Sequence, residues 1–130
     1  MVVNAQGGIY DWNGKKWARW PGAAKDIGIS SKGKVWVIGT NKEGGGYGIY
    51  RRDGSKWTKI PGSALSIAVN GAGNAWVVNN RNDIFEYDGR RWHHRPGKAI
   101  DIGAYDNAVM VVGTDKRYYR YNHQIGRAHV

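Results

Sequence analysis

The stretch Trp57-Thr58-Lys59-Ile60-Pro61-Gly62-Ser63-Ala64-Leu65-Ser66-Ile67-Ala68-Val69 decides the fold, because its pattern occurs once before and once after in the same chain. Upstream the copy reads Trp17-Ala18-Arg19-Trp20-Pro21-Gly22-Ala23-Ala24-Lys25-Asp26-Ile27-Gly28-Ile29. Downstream it reads Trp92-His93-His94-Arg95-Pro96-Gly97-Lys98-Ala99-Ile100-Asp101-Ile102-Gly103-Ala104. Trp, Pro-Gly and Ile hold register in all three. The step from Trp17 to Trp57 is 40 residues and from Trp57 to Trp92 is 35. Self-similarity at that period belongs to solenoids, propellers and arrays, in which each repeat buries its apolar face only against the next.

Working outward, Ile9-Tyr10-Asp11-Trp12 precedes the first copy and ends in Asn13-Gly14, a dipeptide suited to two-residue hairpins. Its equivalents are Ile49-Tyr50-Arg51-Arg52-Asp53-Gly54 and Ile84-Phe85-Glu86-Tyr87-Asp88-Gly89. After each organising stretch comes an unbroken apolar run, Val35-Trp36-Val37-Ile38, Ala75-Trp76-Val77-Val78 or Val109-Met110-Val111-Val112, as expected of strands covered on both faces. Each cycle therefore holds four short strands. Frequent glycine would interrupt any helix, which leaves an all-β fold: a partial β-propeller of about three four-stranded antiparallel blades, open as a single chain. Repeats run over about 9–48, 49–83 and 84–117, with partial repeats at both ends, inside a propeller spanning 1–124. Gly44-Gly45-Gly46 accounts for the longer first step and reads as a flexible surface loop. The chain opens inside a repeat, and the closing Ile-Gly-Arg-Ala-His-Val, residues 125–130, is similar to a translated sequencing adapter, so it is set aside as a non-native tail on a cut from a longer gene.

Composition narrows the function classes. The chain holds 20 Gly, 7 Trp and 8 Tyr against a single Phe, favouring glycine turns and surfaces of amphipathic rings. Without cysteine there is neither a disulfide scaffold nor a cysteine-ligated zinc site. No apolar run approaches the ~20 residues of a membrane-spanning helix. Lys and Arg exceed the acidic residues by 20 to 10, so an anionic partner has to be weighed.

The ordered set Trp, Pro-Gly, Asp-Ile-Gly, Val-Trp-Val, Ile-Tyr and Asp-Gly resembles the tectonin β-propeller repeat family of tectonins and fish-egg lectins, over residues 2 to about 122. Met110 departs from the pattern, standing where the first two repeats carry Trp36 and Trp76. The resemblance implies rings of five or six blades that bind glycans, often on microbial surfaces, with no catalytic activity and no cofactor. Some larger members instead engage membrane lipids inside cells.

Trp17, Trp57 and Trp92, with Trp36 and Trp76 and with Gly22, Gly62 and Gly97, recur at fixed positions and read as blade-packing scaffold. The ligand candidates are the aromatics that vary between copies. Trp12, Trp20, Tyr47 and Tyr87 could stack on the apolar face of a sugar. Lys15-Lys16, Arg51-Arg52 with Lys56, and Arg90-Arg91 flank the same hairpin in successive cycles, so Arg51, Arg52 and Arg91 are candidates for phosphate or sulfate contacts. Solvated turn charge that guards strand edges is the competing explanation. His93 and His94, adjacent on a strand, point to opposite faces and do not suit one metal. No catalytic triad or carboxylate pair stands out, and no enzyme is expected.

The leading expectation is thus a carbohydrate-binding, lectin-like propeller module. The alternatives are a basic module for anionic lipid headgroups, sulfated polysaccharide or nucleic acid, and a purely structural protein-interaction propeller. Two uncovered blade faces would also favour a homo-oligomer that closes the ring.

Overall fold

The computed structural model describes residues 1–122 and 127–129, and all regular structure among them is β-strand. The first blade holds β1 (Val2–Val3), β2 (Gly8–Trp12) and β3 (Trp17–Ala23). The second holds β4 (Asp26–Ile29), β5 (Val35–Glu43), β6 (Gly46–Asp53) and β7 (Lys56–Ala64), each antiparallel to its neighbour. The third is built from β8 (Ser66–Val69), β9 (Ala75–Val78), β10 (Asp83–Tyr87) and the first half of β11 (Trp92–Tyr105). The second half of β11 joins β12 (Ala108–Gly113), β13 (Tyr118–Asn122) and β14 (Arg127–His129) in the fourth.

Strand β11 pairs with β10 as far as Lys98 and with β12 from Ala99, so one continuous strand is the outer edge of one blade and the inner edge of the next. The sequence period and the blade are consequently out of phase. Residues 49–83 supply the outer two strands of the second blade and the inner two of the third. Three four-stranded blades and a three-stranded one form an open arc rather than a closed ring. Of the segment 125–130, residues 125, 126 and 130 lie outside the described residues, and the backbone of Arg127–His129 pairs with β13 as an edge strand.

The core is a series of layers between blades. Trp36, Ile38 and Ile49 of the second blade pack with Ile67, Val77 and Tyr87 of the third; Trp76 and Ile84 of the third pack with Val109, Val111 and Tyr121 of the fourth. Strand β9 is buried along its whole length, as its uninterrupted apolar run requires. The inner strands approach so closely that a Cβ on Gly28 would lie 3.0 Å from Val69 Cγ2 and 3.2 Å from Ala68 Cα. Small residues at that point let the blades converge near the axis.

A polar latch repeats at each blade junction. Trp57 Nε1 donates to Pro21 O at 3.0 Å, and Trp92 Nε1 donates to Pro61 O at 2.6 Å. At the third junction the tyrosine of the preceding strand, Tyr121, supplies the donor to Pro96 O. Trp36 Nε1 reaches Gly73 O of the next blade at 3.2 Å, whereas Trp76 Nε1 is buried without a partner among the described residues. The reason lies in the next turn: β8 and β9 are joined by the five-residue loop from Asn70 to Asn74, but β11 and β12 are joined by Asp106 and Asn107 alone.

Two expectations change. The Gly44-Gly45-Gly46 segment is not a loose loop, because its extra residues lengthen β5 and β6, with Glu43 opposite Gly46. The turn is pinned on both sides, since Gly45 N donates to Ser63 Oγ at 2.7 Å and Asn80 N donates to Gly45 O at 2.9 Å. Trp17, read as scaffold with Trp57 and Trp92, is 52% exposed because it belongs to the first blade and no earlier blade in this chain covers it.

Candidate interblade binding clefts

Beside each latch the two blades part to leave a cleft, and the three clefts are assembled from equivalent positions. The first, of about 230 Å³, is lined by Ile9 and Gly22 of one blade and Val37, Asn41, Tyr50 and Trp57 of the next. The second, of about 250 Å³, has Ile49 and Gly62 facing Val77, Asn79, Arg81, Phe85 and Trp92. In the third, of about 390 Å³, Ile84 and Gly97 face Val111, Asp115, Tyr119 and Tyr121. Each is an apolar floor of Ile and Val, an aromatic wall and a polar rim. That composition is typical of small-molecule sites, in which apolar surface supplies affinity and a few polar groups fix orientation.

The rims differ in chemistry. In the first cleft the Tyr50 hydroxyl donates to Asn41 Oδ1 at 3.1 Å, Asn41 Nδ2 donates to Glu43 Oε2 at 2.7 Å, and Lys59 Nζ donates to Glu43 Oε1 at 3.2 Å. In the third, the Tyr119 hydroxyl donates to Asp115 Oδ2, while Asp115 Oδ1 accepts from Arg117 N at 3.0 Å. The Tyr119 hydrogen bond is the main cause holding the Asp115 carboxyl below its usual range. Burial pushes the neighbouring Tyr121 phenol up to about 12, so it remains a hydrogen-bond donor to the latch carbonyl at neutral pH. In the second cleft Phe85 replaces the tyrosine and brings no hydroxyl.

A separate cleft of about 400 Å³ opens at the opposite end of the second and third blades, lined by Lys32, Lys34, Trp36, Arg51 and Tyr87. Its positive charge is partly neutralised, because Asp53 takes Arg51 Nε at 3.1 Å and Lys34 Nζ at 3.6 Å.

The residues singled out in the sequence fall mostly outside the three repeated clefts. Arg51 and Tyr87 share the opposite-end cleft, but Tyr87 is only 7% exposed, with its ring packed 4.9 Å from Trp92 and 5.6 Å from Trp36. A tyrosine held in the blade interface in this way has no free face for a sugar. Trp20 is half-buried, with the Arg52 guanidinium 3.1 Å from its ring centre and Trp57 edge-on at 6.2 Å. Arg52 also donates to Gly54 O at 2.8 Å, so the pair reads as mutual packing. Tyr47 packs against the core and has Lys25 Nζ 4.5 Å above its ring. Trp12 is half exposed beside Trp17, and Arg91 is exposed in the β10–β11 turn. His93 and His94 turn to different carboxylates, Asp88 and Asp83.

The cleft residues that sequence reading passed over are Asn41, Tyr50, Asn79, Arg81, Phe85, Asp115 and Tyr119. A usable signal existed: the repeat position that follows each apolar run is Gly39, Asn79 or Gly113, and the residue two places on is Asn41, Arg81 or Asp115.

Comparison with known proteins accords with this architecture. The solved structure of YCF48 bound to D1 peptide superposes with a TM-score of 0.59 at 18% identity, covering 92% of this chain and 44% of that one. YCF48 from Cyanidioschyzon merolae superposes with a TM-score of 0.57 at 17% identity, covering 98% and 38%. This chain thus spans less than half the length of either, and at such identities the likeness is one of fold. No curated protein matches it. The tectonin domain family matches residues 37–129, from Val37 in β5 to the end of β14. With that match over most of its length, the chain belongs to the tectonin domain family.

Proposed function

We propose that this chain is a non-catalytic carbohydrate-binding propeller module whose ligands occupy the interblade clefts. The observation that carries the reading is the repetition itself: three equivalent sites join an aromatic wall to a hydrogen-bonding rim. Sugars present an apolar C–H face and a ring of hydroxyls, and a wall of Tyr50, Phe85 or Tyr119 beside an amide, carboxylate or guanidinium answers both. Each cleft is smaller than the ~300–1,000 Å³ usual for drug-sized ligands, or at the foot of that range, which suits one sugar residue rather than an oligosaccharide. Several weak sites on one rigid arc would gain avidity on a multivalent glycan surface.

A second reading is favoured by the formal charge of +10. A module of that charge could hold a polyanion along Lys15, Lys16, Lys56, Arg90 and Arg91. Salt separates the two. Each phosphate neutralised on duplex DNA contributes about −0.9 to the log–log salt slope, so five or six contacts lose roughly a thousandfold between 50 and 200 mM. Stacking and hydroxyl hydrogen bonds release no counterions. Glycan-array signals that survive about 0.5 M salt, and that are kept when Arg90 and Arg91 are replaced by Ala, support the lectin reading. Signals confined to sulfated or phosphorylated probes and abolished by salt overturn it. A peptide ligand, as in the YCF48 complex, would appear as an array without glycan hits.

A further inference from the structure

The second cleft differs from its two siblings in its polar groups, Asn79 and Arg81. Asn79 is 4% exposed, and its Oδ1 accepts from Arg81 N and Asp83 N, both at 3.0 Å. Those two bonds fix which end of the amide is oxygen. Its Nδ2 therefore faces away from the turn and has no partner among the described residues, while Asn79 lines the cleft. A donor without a protein partner at a cleft wall is open to an acceptor on a ligand.

The sibling positions are Gly39 and Gly113. A Cβ there would sit 2.8 Å from Tyr50 Cε2 and 2.9 Å from Tyr119 Cε2, so in those clefts the tyrosine ring occupies the space that Asn79 fills in the second. In the first and third clefts glycine stands with tyrosine and an acceptor at the rim, and in the second asparagine stands with Phe85 and Arg81, although Asn4 and Tyr10 pair an asparagine with a tyrosine in the first blade.

Arg81 completes the set. Its side chain is 69% exposed and its nearest acid, Asp83, lies 3.9 Å away, but that carboxylate is taken mainly by Lys98. The guanidinium is free to turn inward, and its planar fork matches a carboxylate. Two donors and the Phe85 and Trp92 rings call for a ring with an acidic substituent.

We propose that the cleft between the second and third blades selects a carboxylate-bearing monosaccharide through Asn79 Nδ2 and Arg81, while the first and third clefts favour neutral sugars. The inference rests on the carbohydrate reading and names the ligand class of one of its sites. The test is a titration of the full chain with glucuronate, glucose and propionate, followed by nuclear magnetic resonance at the Asn79 amide and Trp92 indole signals. Glucuronate is expected to bind about tenfold or more tightly than glucose. Asn79→Asp keeps the oxygen that holds the turn and loses the donor, and Arg81→Gln alters only an exposed side chain; each should weaken glucuronate about tenfold with an unchanged melting midpoint. If Asn79→Asp fails to fold, Arg81→Gln decides alone. Glucose binding as tightly as glucuronate in this cleft would overturn the acid selectivity and leave the carbohydrate reading intact. Propionate matching glucuronate, or no response to any sugar, would overturn both.

Discussion

Replacing Gly62 by Ala should cost far more than replacing Gly14 by Ala, although both glycines hold a positive φ. Gly62 has φ +110° and Gly14 has φ +95°, so each alanine bears the backbone penalty of about 1–2 kcal/mol for leaving the regions open to L-residues. Around Gly14 nothing lies within 4 Å, and strain is the whole effect. At Gly62 the new Cβ would sit 3.1 Å from Trp92 Nε1, the nitrogen whose 2.6 Å bond to Pro61 O latches the third blade to the second. Making room means lengthening that bond, worth about 0.5–1.5 kcal/mol. Gly62→Ala should therefore lose about 2–3 kcal/mol and Gly14→Ala about 1–2. Gly22→Ala, whose Cβ would meet Trp57 Nε1 at 3.4 Å, should fall between them. Urea midpoints of the three variants read the order directly. Equal losses at Gly62 and Gly14 would refute the latch as the reason for Pro-Gly in every repeat.

Trp57→Ala, which removes a latch and a half-buried ring, should cost about 3 kcal/mol or more, and Trp17→Ala, 52% exposed, about 1; denaturant midpoints check it. Asp26 lies partly buried with its carboxylate accepting from Ile27 N and Ile67 N, and burial is the largest influence, raising its pKa above 3.8. A raised carboxyl pKa contributes stability below the unfolded value and loses it as pH rises through the folded one, so the wild type should lose stability relative to Asp26→Asn as pH climbs from 3.8 through the raised folded value. The opposite trend in paired melts would contradict the burial argument. The 130-residue chain should also self-associate in light scattering, because Trp12 and Trp17 on the first blade and Tyr105, Met110 and Tyr118 on the fourth are exposed; a monomer with slow amide exchange throughout would show that four blades in an open arc suffice.

The architecture was legible because a propeller repeats its own packing rules. Trp57, Pro61, Gly62 and Ile67 recur since the latch, its carbonyl, the space beside it and the convergence of inner strands recur with them. Met110 stood out in the sequence only as a departure from Trp36 and Trp76, and the structure leaves it 48% exposed. The candidate clefts were hidden by the criterion applied to the sequence. Searching for aromatics that vary between copies selected Trp12 and Trp20, but the varying aromatics are absorbed by cation and ring packing at the blade edges. The clefts are walled by near-invariant aromatics such as Tyr50 and Tyr119, which look like scaffold because they are also scaffold. Their chemistry varies at Gly39, Asn79 and Gly113, where a side chain and a neighbouring ring compete for one space across the sheet. Tyr121 was unreadable as a latch because its aligned partners, Tyr87 and Arg52, serve no such purpose; it acts only where the sequence provides no Trp after it.

The most direct test of the interblade clefts as sugar sites uses the indole N–H signals of the seven tryptophans. Trp57 and Trp92 line the first and second clefts, whereas Trp36 lines the opposite-end cleft and Trp12 stands at the end of β2 beside Trp17. Titration with a panel of neutral and acidic monosaccharides should shift the Trp57 and Trp92 indoles saturably and leave Trp36 and Trp12 in place. Shifts confined to Trp12 or Trp36, or none with any sugar, would contradict the account.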